Sequence, residues 1–137
     1  MTIQRPEAGI GVIILKNKKV LLLKREGIAG DGTWCFPGGH IELNESFEEA
    51  AKRETIEESG IQIKNVSVVA VTNDILKTDN KHYVTVFVIS DYDSGEEKLM
   101  EPNKSSEIKW FDWDRLPKPL FLPIENLLKQ NFNPFSL

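Results

Sequence analysis

Short runs of β-branched and aliphatic residues alternate with polar segments along most of the chain. Residues 9–15 and 20–25 are two such runs, and the polar tetrapeptide 16–19 between them predicts a hairpin. Further runs rich in Val, Ile, Thr and aromatic residues predict strands at residues 34–36, 66–72, 82–90 and 108–113. The acidic segment 91–106 lacks such a pattern and predicts a surface loop.

Two segments have a helical pattern instead. Residues 47–59 follow Ser46, and Glu49 stands three positions after that serine, which is the spacing of a capping box. Gly60 is typical of the position at which a helix ends. Residues 123–130 begin with proline and carry their apolar residues on one face, which predicts a second helix. The order of hairpin, helix, strands and helix predicts a mixed α/β (α+β) fold.

The length and charge of the chain limit its organisation and its ligands. With 137 residues, 40% of them hydrophobic, we expect one globular domain over residues 1–137 rather than a disordered chain or two domains. Seventeen basic and 21 acidic residues give a net charge of −4, which disfavours binding to a nucleic-acid duplex. A polyanionic ligand would therefore need a local positive centre.

Three features bear on the cellular location. The longest apolar runs, residues 10–15 and 20–23, fall short of the roughly 20 residues that span a bilayer. The first seven residues do not have the pattern of a secretory signal, and the lone Cys35 cannot form an internal disulfide. We therefore expect no membrane span and a cytoplasmic location.

One side of the helix at 47–59 begins apolar and becomes acidic. Phe47, Ala50 and Ala51 fall within one sector of the helical wheel, which we expect to face the body of the protein. The same sector carries three carboxylates, those of Glu54, Glu57 and Glu58. Neighbouring carboxylates repel, and partial burial makes that repulsion costly unless a cation compensates it.

Two interpretations of this acidic face are open. The glutamates can form a solvated helix face that pairs with Lys52 and Arg53. Alternatively, they can hold a divalent metal, for which carboxylate oxygens favour Mg²⁺ or Mn²⁺. With one Cys and two His residues in the chain, a zinc site is not indicated. A metal would also supply the positive centre that the acidic chain lacks.

The segment around this helix resembles the signature of the Nudix hydrolases. Residues 39–61 are GHIELNESFEEAAKRETIEESGI, and the family pattern is Gly, five residues, Glu, seven residues, Arg-Glu, two residues, Glu-Glu, one residue, Gly and an apolar residue. The matching positions are Gly39, Glu45, Arg53, Glu54, Glu57, Glu58, Gly60 and Ile61. Thr55 departs from the pattern, which usually has an aliphatic residue there, although its methyl group can still pack.

Matches in and beyond the signature resemble one MutT-like branch of the family, which includes a human nucleoside-triphosphate diphosphatase that degrades thiopurine nucleotides. These matches are the segments 37–40, 53–55, 64–66, 82–85 and 133–135. The resemblance implies an α/β/α sandwich around a central mixed β-sheet, which agrees with the order of elements. It also implies a small nucleotide substrate and, at the level of the family, a homodimer.

The resemblance implies a metal site on the helix. Glu54 and Glu58 would be direct ligands together with the backbone carbonyl of Gly39, and Glu57 would be a third ligand or hold a metal-bound water. Mg²⁺ is the implied cofactor, and Mn²⁺ is its expected substitute. The general base that accepts the proton from water is left open between Glu54 and Glu57.

Other positions of the signature have supporting roles in the family. Arg53 would act in catalysis by orienting the glutamates, while Glu45 and Gly60 would be structural. Glu107, which precedes the predicted strand at 108–113, is a further candidate for the general base.

Four residues are expected to bind the substrate: Arg25, Phe36, Gly38 and Thr85. Arg25 would lie near the phosphates, although a surface ion pair is an alternative role. Phe36 and Thr85 are candidates for contact with the base, although an aromatic side chain such as Phe36 often packs in the core instead. Relatives have Gln and Leu where this chain has Cys35 and Phe36, which leaves the base preference open.

The resemblance and the acidic helix together predict a Mg²⁺-dependent pyrophosphohydrolase. Water would attack phosphorus and convert a nucleoside triphosphate, including oxidised or modified dNTPs, to the monophosphate and pyrophosphate. One alternative is a hydrolase of ADP-ribose or of another molecule linked to a nucleoside diphosphate. The other is a Nudix domain that binds nucleotides without hydrolysing them.

Overall fold

The structure is a computed structural model that describes residues 3–137, so the first two residues of the N-terminal segment considered above lie outside it. Its strands and helices follow one another along the chain as β1 (Glu7–Lys16), β2 (Lys19–Arg25), β3 (Trp34–Cys35), β4 (Gly38–His40), α1 (Phe47–Ser59), β5 (Gln62–Leu76), β6 (Lys81–Ser94), β7 (Ser105–Asp112), a 3₁₀ turn (Trp113–Arg115) and α2 (Leu122–Leu128). None of the helices formed by these residues is long and apolar enough to cross a membrane.

The strands form one mixed sheet in which β1 is central. β1 pairs in parallel with β6, and β5 pairs antiparallel with β6 at the edge. The other side of β1 is divided between two antiparallel partners, β4 beside residues 9–11 and β2 beside Leu15 and Lys16. β2 in turn pairs with β3 and β7. This division places the two glycines at the start of β4 next to the N-terminal half of β1.

The two helices cover opposite faces of the sheet. Alternate residues of a strand point to opposite faces, and in β1 Val12 packs on the side of α1 while Ile13 packs on the side of α2. The buried residues on the α1 side include Ile10, Ile14, Ala50, Ala51, Ile61 and Val88. Those on the α2 side include Leu22, Phe36, Phe87, Ile124 and Leu127. The predicted α/β/α sandwich with a central mixed sheet is therefore confirmed.

The helix that carries the glutamates begins and ends where the sequence predicts. The Ser46 hydroxyl accepts a hydrogen bond from the Glu49 N–H, and the Glu49 carboxylate accepts one from the Ser46 N–H, so the capping box is formed. Gly60 ends the helix in the left-handed conformation, with φ of 75°, which glycine adopts without the steric penalty of a Cβ. The predicted hairpin at 16–19 is also confirmed, because Lys16 pairs with Lys19.

Some predicted boundaries and one burial prediction are wrong. β5 begins at Gln62 rather than at residue 66, and β6 continues to Ser94, into the predicted loop. Polar residues pair across these ends, as Lys64 does with Asp91, so local hydrophobicity did not reveal them. Phe47 does not face the core: 45% of its surface is exposed, and burial on α1 begins at Ala50.

Candidate active site

A cavity of about 570 Å³ opens where α1, the β1–β4 pair, β6 and the start of α2 meet. It brings together the residues that the sequence assigns to catalysis, metal binding and substrate binding: Arg25, Phe36, Gly38, Gly39, Arg53, Glu54, Glu57, Glu58 and Thr85. These residues come from segments that are far apart in sequence, and the sheet places them around one space. Glu45, Gly60 and Glu107 do not line it.

The carboxylate of Glu54 lies directly against the backbone of Gly39. A Cβ added to Gly39 would lie 2.7 Å from the carboxyl carbon and from both oxygens of Glu54, so a side chain here would displace this carboxylate. The Glu54 side chain is 12% exposed. Burial raises the pKa of this carboxyl group, and the charge of Arg53 opposes that shift.

Glu58 lies one helical turn further along the same face of α1. Its two carboxylate oxygens accept the N–H of Gly38 at 3.3 Å. Burial, followed by the negative charge of Glu54, raises the pKa of Glu58 to about 8. Two carboxylates thus face the glycines of β4, and Arg53 contacts that of Glu54.

Glu57 differs from its two neighbours on the helix. Half of its side chain, 51%, is exposed, and one oxygen accepts an N–H of Arg53 at 3.3 Å. The acidic face of α1 is therefore divided into two buried carboxylates and one at the rim of the cavity. The alternative of a fully solvated acidic face does not describe Glu54 and Glu58.

Arg53 is fully engaged by the protein. It donates two hydrogen bonds to Glu45, at 2.6 and 2.9 Å, and one to the carbonyl of His40 at 3.0 Å. Its remaining nitrogen contacts Glu54 at 2.7 Å and Glu57 at 3.3 Å. All five N–H groups of a guanidinium are accounted for by these bonds. Arg53 thus positions the glutamates of α1 rather than offering free donors to a ligand.

Glu45 anchors this arginine from the loop before α1. The bonds from Arg53 lower the pKa of Glu45 from its ordinary value of 4.5 to about 2, and the N–H of Glu42 supports the same shift. The short, paired hydrogen bonds are typical of a bidentate arginine–carboxylate contact. The structural role expected for Glu45 is consistent with this position.

The donor set suits a hard divalent cation. Two buried carboxylates lie beside the Gly39 backbone, and oxygen ligands are those that Mg²⁺ and Mn²⁺ prefer. No three His, Cys, Asp or Glu side chains among residues 3–137 converge into a complete metal cage. Mg²⁺ does not require one, because proteins usually bind it through one or two carboxylates while water and substrate phosphates complete the shell. Glu54 and Glu58 would hold the cation here.

Positive charge lines another part of the cavity. The Arg25 Nε donates to the carbonyl of Ala29 at 2.6 Å, and its guanidinium lies 4.0 Å from the centre of the Phe121 ring. Arg25 is thus fixed within the cavity, and it forms no ion pair with the acidic side chains of residues 3–137. Lys81 and Lys104 also line the cavity, and neither was predicted from the sequence, because both lie in polar segments without a motif.

Phe36 and Thr85, the candidates for contact with the nucleotide base, lie in different environments. Phe36 is 5% exposed, and its ring packs edge-on against Phe87 and parallel to Trp113, so most of it belongs to the core. The neighbouring Cys35 is buried, and burial raises the pKa of its thiol to about 11. Thr85 is 7% exposed at the cavity wall.

A loop after β6 adds an acidic residue that the sequence analysis missed. Glu101 lines the cavity, and its charge contributes to the raised pKa values of Glu54 and Glu58. The loop is joined to the end of α1, because the N–H of Lys98 donates to the Ser59 carbonyl at 3.0 Å. Glu107, in contrast, lies outside the cavity and pairs with lysines on the surface of the sheet.

One protein-family model and several known proteins match this chain. The family model described as the NUDIX domain matches residues 5–130. The ADP-ribose pyrophosphatase of Methanocaldococcus jannaschii is 34% identical over 85% of this chain and 68% of that protein. The oxidized purine nucleoside triphosphate hydrolase of Danio rerio is 30% identical over 77% of this chain and 66% of that protein. The chain spans only about two fifths of the NAD-capped RNA hydrolases that it matches.

The fold is also close to that of a solved structure. The crystal structure of a MutT NUDIX hydrolase from Burkholderia pseudomallei superimposes with a TM-score of 0.86 at 31% identity, and the match covers 94% of this chain and all of that one. The sandwich described above is therefore shared with MutT-like proteins.

Proposed function

The chain belongs to the NUDIX hydrolase family, and from this premise we propose that it is a Mg²⁺-dependent pyrophosphohydrolase of nucleoside triphosphates. The observation that carries the proposal is the composition of the cavity. Two buried carboxylates, Glu54 and Glu58, share one space with the cationic side chains of Arg25, Lys81 and Lys104. This combination suits a metal-bound polyphosphate, in which both signs of charge must be met.

The residues of the cavity divide the tasks of this reaction, and Glu54 takes part in two of them. Mg²⁺, when bound, neutralises charge on the phosphate oxygens and lowers the pKa of water. Glu54 and Glu58 provide the carboxylates that hold it, while the backbone of Gly38 and Gly39 fixes their position. Arg25 offers its guanidinium to the phosphates.

For the proton of the attacking water, we propose Glu54 as the acceptor before Glu57. Glu54 lies inside the cavity, and only one of its oxygens is bonded to Arg53. Glu57 is half exposed at the rim, where bulk water competes for its oxygens. A general base must lie within hydrogen-bond reach of the proton that it removes, which favours the carboxylate nearer to the substrate space.

The triphosphate substrate is supported by charge and by a relative. A triphosphate carries more negative charge than a diphosphate link, and the three cations that line the cavity besides Arg53 suit the more anionic tail. The relative from Danio rerio is named for oxidized purine nucleoside triphosphates. More specifically, we propose oxidised or modified dNTPs as substrates, including those of the thiopurine branch. Mn²⁺ is proposed as a substitute for Mg²⁺, and a homodimer is proposed as the oligomeric state.

A second candidate is hydrolysis of ADP-ribose or of another nucleoside-diphosphate-linked molecule. The relative from Methanocaldococcus jannaschii, named as an ADP-ribose pyrophosphatase, favours it at 34% identity. The same carboxylates would serve both reactions, because each cleaves a phosphoanhydride next to the nucleoside phosphate. The two candidates differ in their products.

Phosphorus NMR of the products separates these candidates. The purified protein is incubated with Mg²⁺ and with a panel of nucleoside triphosphates, 8-oxo-dGTP and ADP-ribose. We expect pyrophosphate and the nucleoside monophosphate from at least one triphosphate. Release of AMP and ribose 5-phosphate from ADP-ribose alone would support the second candidate, and no turnover of any compound would contradict both.

A further inference from the structure

A buried carboxylate behind the cavity wall has no role in the proposed reaction. Asp74 of β5 is fully buried, and three neutral side chains donate hydrogen bonds to it. The Thr85 hydroxyl lies 2.6 Å and the Thr72 hydroxyl 3.0 Å from Oδ2, while the Asn126 amide lies 2.9 Å from Oδ1. Asp74 therefore ties strand β6 and helix α2 to strand β5 at the edge of the substrate space.

These bonds fix the direction of the Thr85 hydroxyl. A carboxylate only accepts hydrogen bonds, so the single proton of the Thr85 hydroxyl is used in the short bond to Asp74. The Thr85 oxygen can then only accept a further hydrogen bond. Thr85 therefore presents a hydrogen-bond acceptor, and no donor, to any neighbour on its other side.

Thr85 is also part of the cavity wall. It lines the cavity together with Gly9, its partner in the parallel register of β1 and β6. A Cβ added to Gly9 would lie 3.9 Å from the Thr85 oxygen and 3.5 Å from the Gly39 carbonyl, so the glycine leaves this part of the wall without a side chain. This leaves room for a ligand beside Thr85.

We propose that Thr85, oriented by Asp74, selects nucleotides whose base carries an amino group rather than an oxo group at the position facing β6. An amino group donates a hydrogen bond to the threonine oxygen, whereas an oxo group places two acceptors against each other. A site built around a hydrogen bond discriminates against an analogue that cannot make it. This inference rests on the proposed function, because it names the nucleotide class that the same cavity takes.

Asp74→Asn gives the sharpest prediction. Asn126 continues to need an acceptor at its amide, so the new side chain turns its oxygen toward Asn126 and its NH₂ toward the two threonines. The Thr85 hydroxyl then accepts from residue 74, and its proton is free to point into the cavity. The preference for amino over oxo bases is expected to reverse in this variant.

The experiment measures binding of matched nucleoside monophosphates by calorimetry in the presence of Mg²⁺. The pairs are AMP and IMP, GMP and XMP, and CMP and UMP. The wild type is expected to bind the amino member of at least one pair about tenfold more tightly, the ratio that corresponds to one hydrogen bond. Thr85→Val should abolish that ratio, and Thr85→Ser, which keeps the hydroxyl, should preserve it.

The ratio of two affinities in one preparation does not depend on the active fraction, so a loss of stability alone does not change it. Equal affinities within every pair, or an unchanged ratio in Thr85→Val, would overturn the role of Thr85. An unchanged ratio in an Asp74→Asn protein with native circular dichroism would overturn the role of Asp74. Failure to hydrolyse the corresponding triphosphates would contradict the proposed function instead and leave the binding ratios as they are.

Discussion

Glu58 and Glu48 lie on the same helix in opposite environments, and this contrast makes them a matched pair for mutation. Glu58→Gln keeps the shape of a buried side chain but removes the charge that would hold the metal. Metal ions contribute several kcal/mol to transition-state charge stabilisation, so we expect turnover to fall about a hundredfold or more. Steady-state kinetics at saturating Mg²⁺ measures this.

Glu48→Gln is the control for that variant. Its side chain is exposed and pairs with Lys52 away from the cavity, so activity should stay within about twofold of the wild type. Near-normal turnover in Glu58→Gln, with the helix intact by circular dichroism, would refute its role as a ligand.

Glu45 gives a prediction about stability and pH. Its pKa is about 2 in the folded protein and 4.5 ordinarily, so its bond to Arg53 stabilises the fold above pH 4.5, and this contribution is lost as the pH falls toward 2. Glu45→Gln should therefore unfold at lower urea concentration than the wild type at pH 7. The gap between the two midpoints should narrow as the pH is lowered from 4.5 to 3. A gap that is constant over this range would contradict the assignment.

Single residues were predictable where a motif fixes their spacing. The positions of Arg53, Glu54 and Glu58 follow from one helical signature, because spacing along a helix determines which side chains share a face. Glu101 and Asp74 belong to no such local pattern. A loop brings Glu101 to the cavity, and the pairing of β5 with β6 brings Asp74 behind the cavity wall, so both positions depend on contacts distant in sequence.

At the scale of elements, α1 is the support of the site, and its N-cap stabilises it. Ser46→Ala removes the acceptor for the Glu49 N–H, 3.1 Å away. Loss of such a cap destabilises a protein by about 1 kcal/mol, so the midpoint of urea unfolding should decrease while the turnover of the folded enzyme is retained. Ser46→Asp keeps an acceptor at this position and should restore the midpoint. Equal stability of all three proteins would contradict the role of the cap.

Helices and strands were predictable where the sequence pattern that indicates them is local. The capping box and Gly60 bound α1 correctly, and the alternation of apolar residues located the centres of the longer strands. β4 was not predicted, since the segment Gly38–His40 contains two glycines and becomes a strand only by pairing with β1. The extended ends of β5 and β6 have the same origin, because polar residues pair there across the ladder.

At the scale of the whole molecule, the sheet places charged side chains from distant segments around one cavity, although the net charge of the chain is small. The chain has a net charge of −4, yet one cavity brings the glutamates of α1 together with Arg25, Lys81 and Lys104 from the segments around it. The sequence indicated that a polyanionic ligand needs a local positive centre. Arg25, Lys81 and Lys104 provide part of that centre, and a divalent cation between Glu54 and Glu58 would provide the rest.

The most direct test of this account is the binding of Mn²⁺ in the absence of nucleotide, followed by the electron paramagnetic resonance signal of the free ion. The wild type and Glu48→Gln should bind Mn²⁺ with the same dissociation constant, and Mg²⁺ should compete for the site. Glu58→Gln should bind it at least about tenfold more weakly, since one of two charged ligands is lost. Equal dissociation constants for the wild type and Glu58→Gln would contradict the claim that the buried carboxylates of α1 hold the metal.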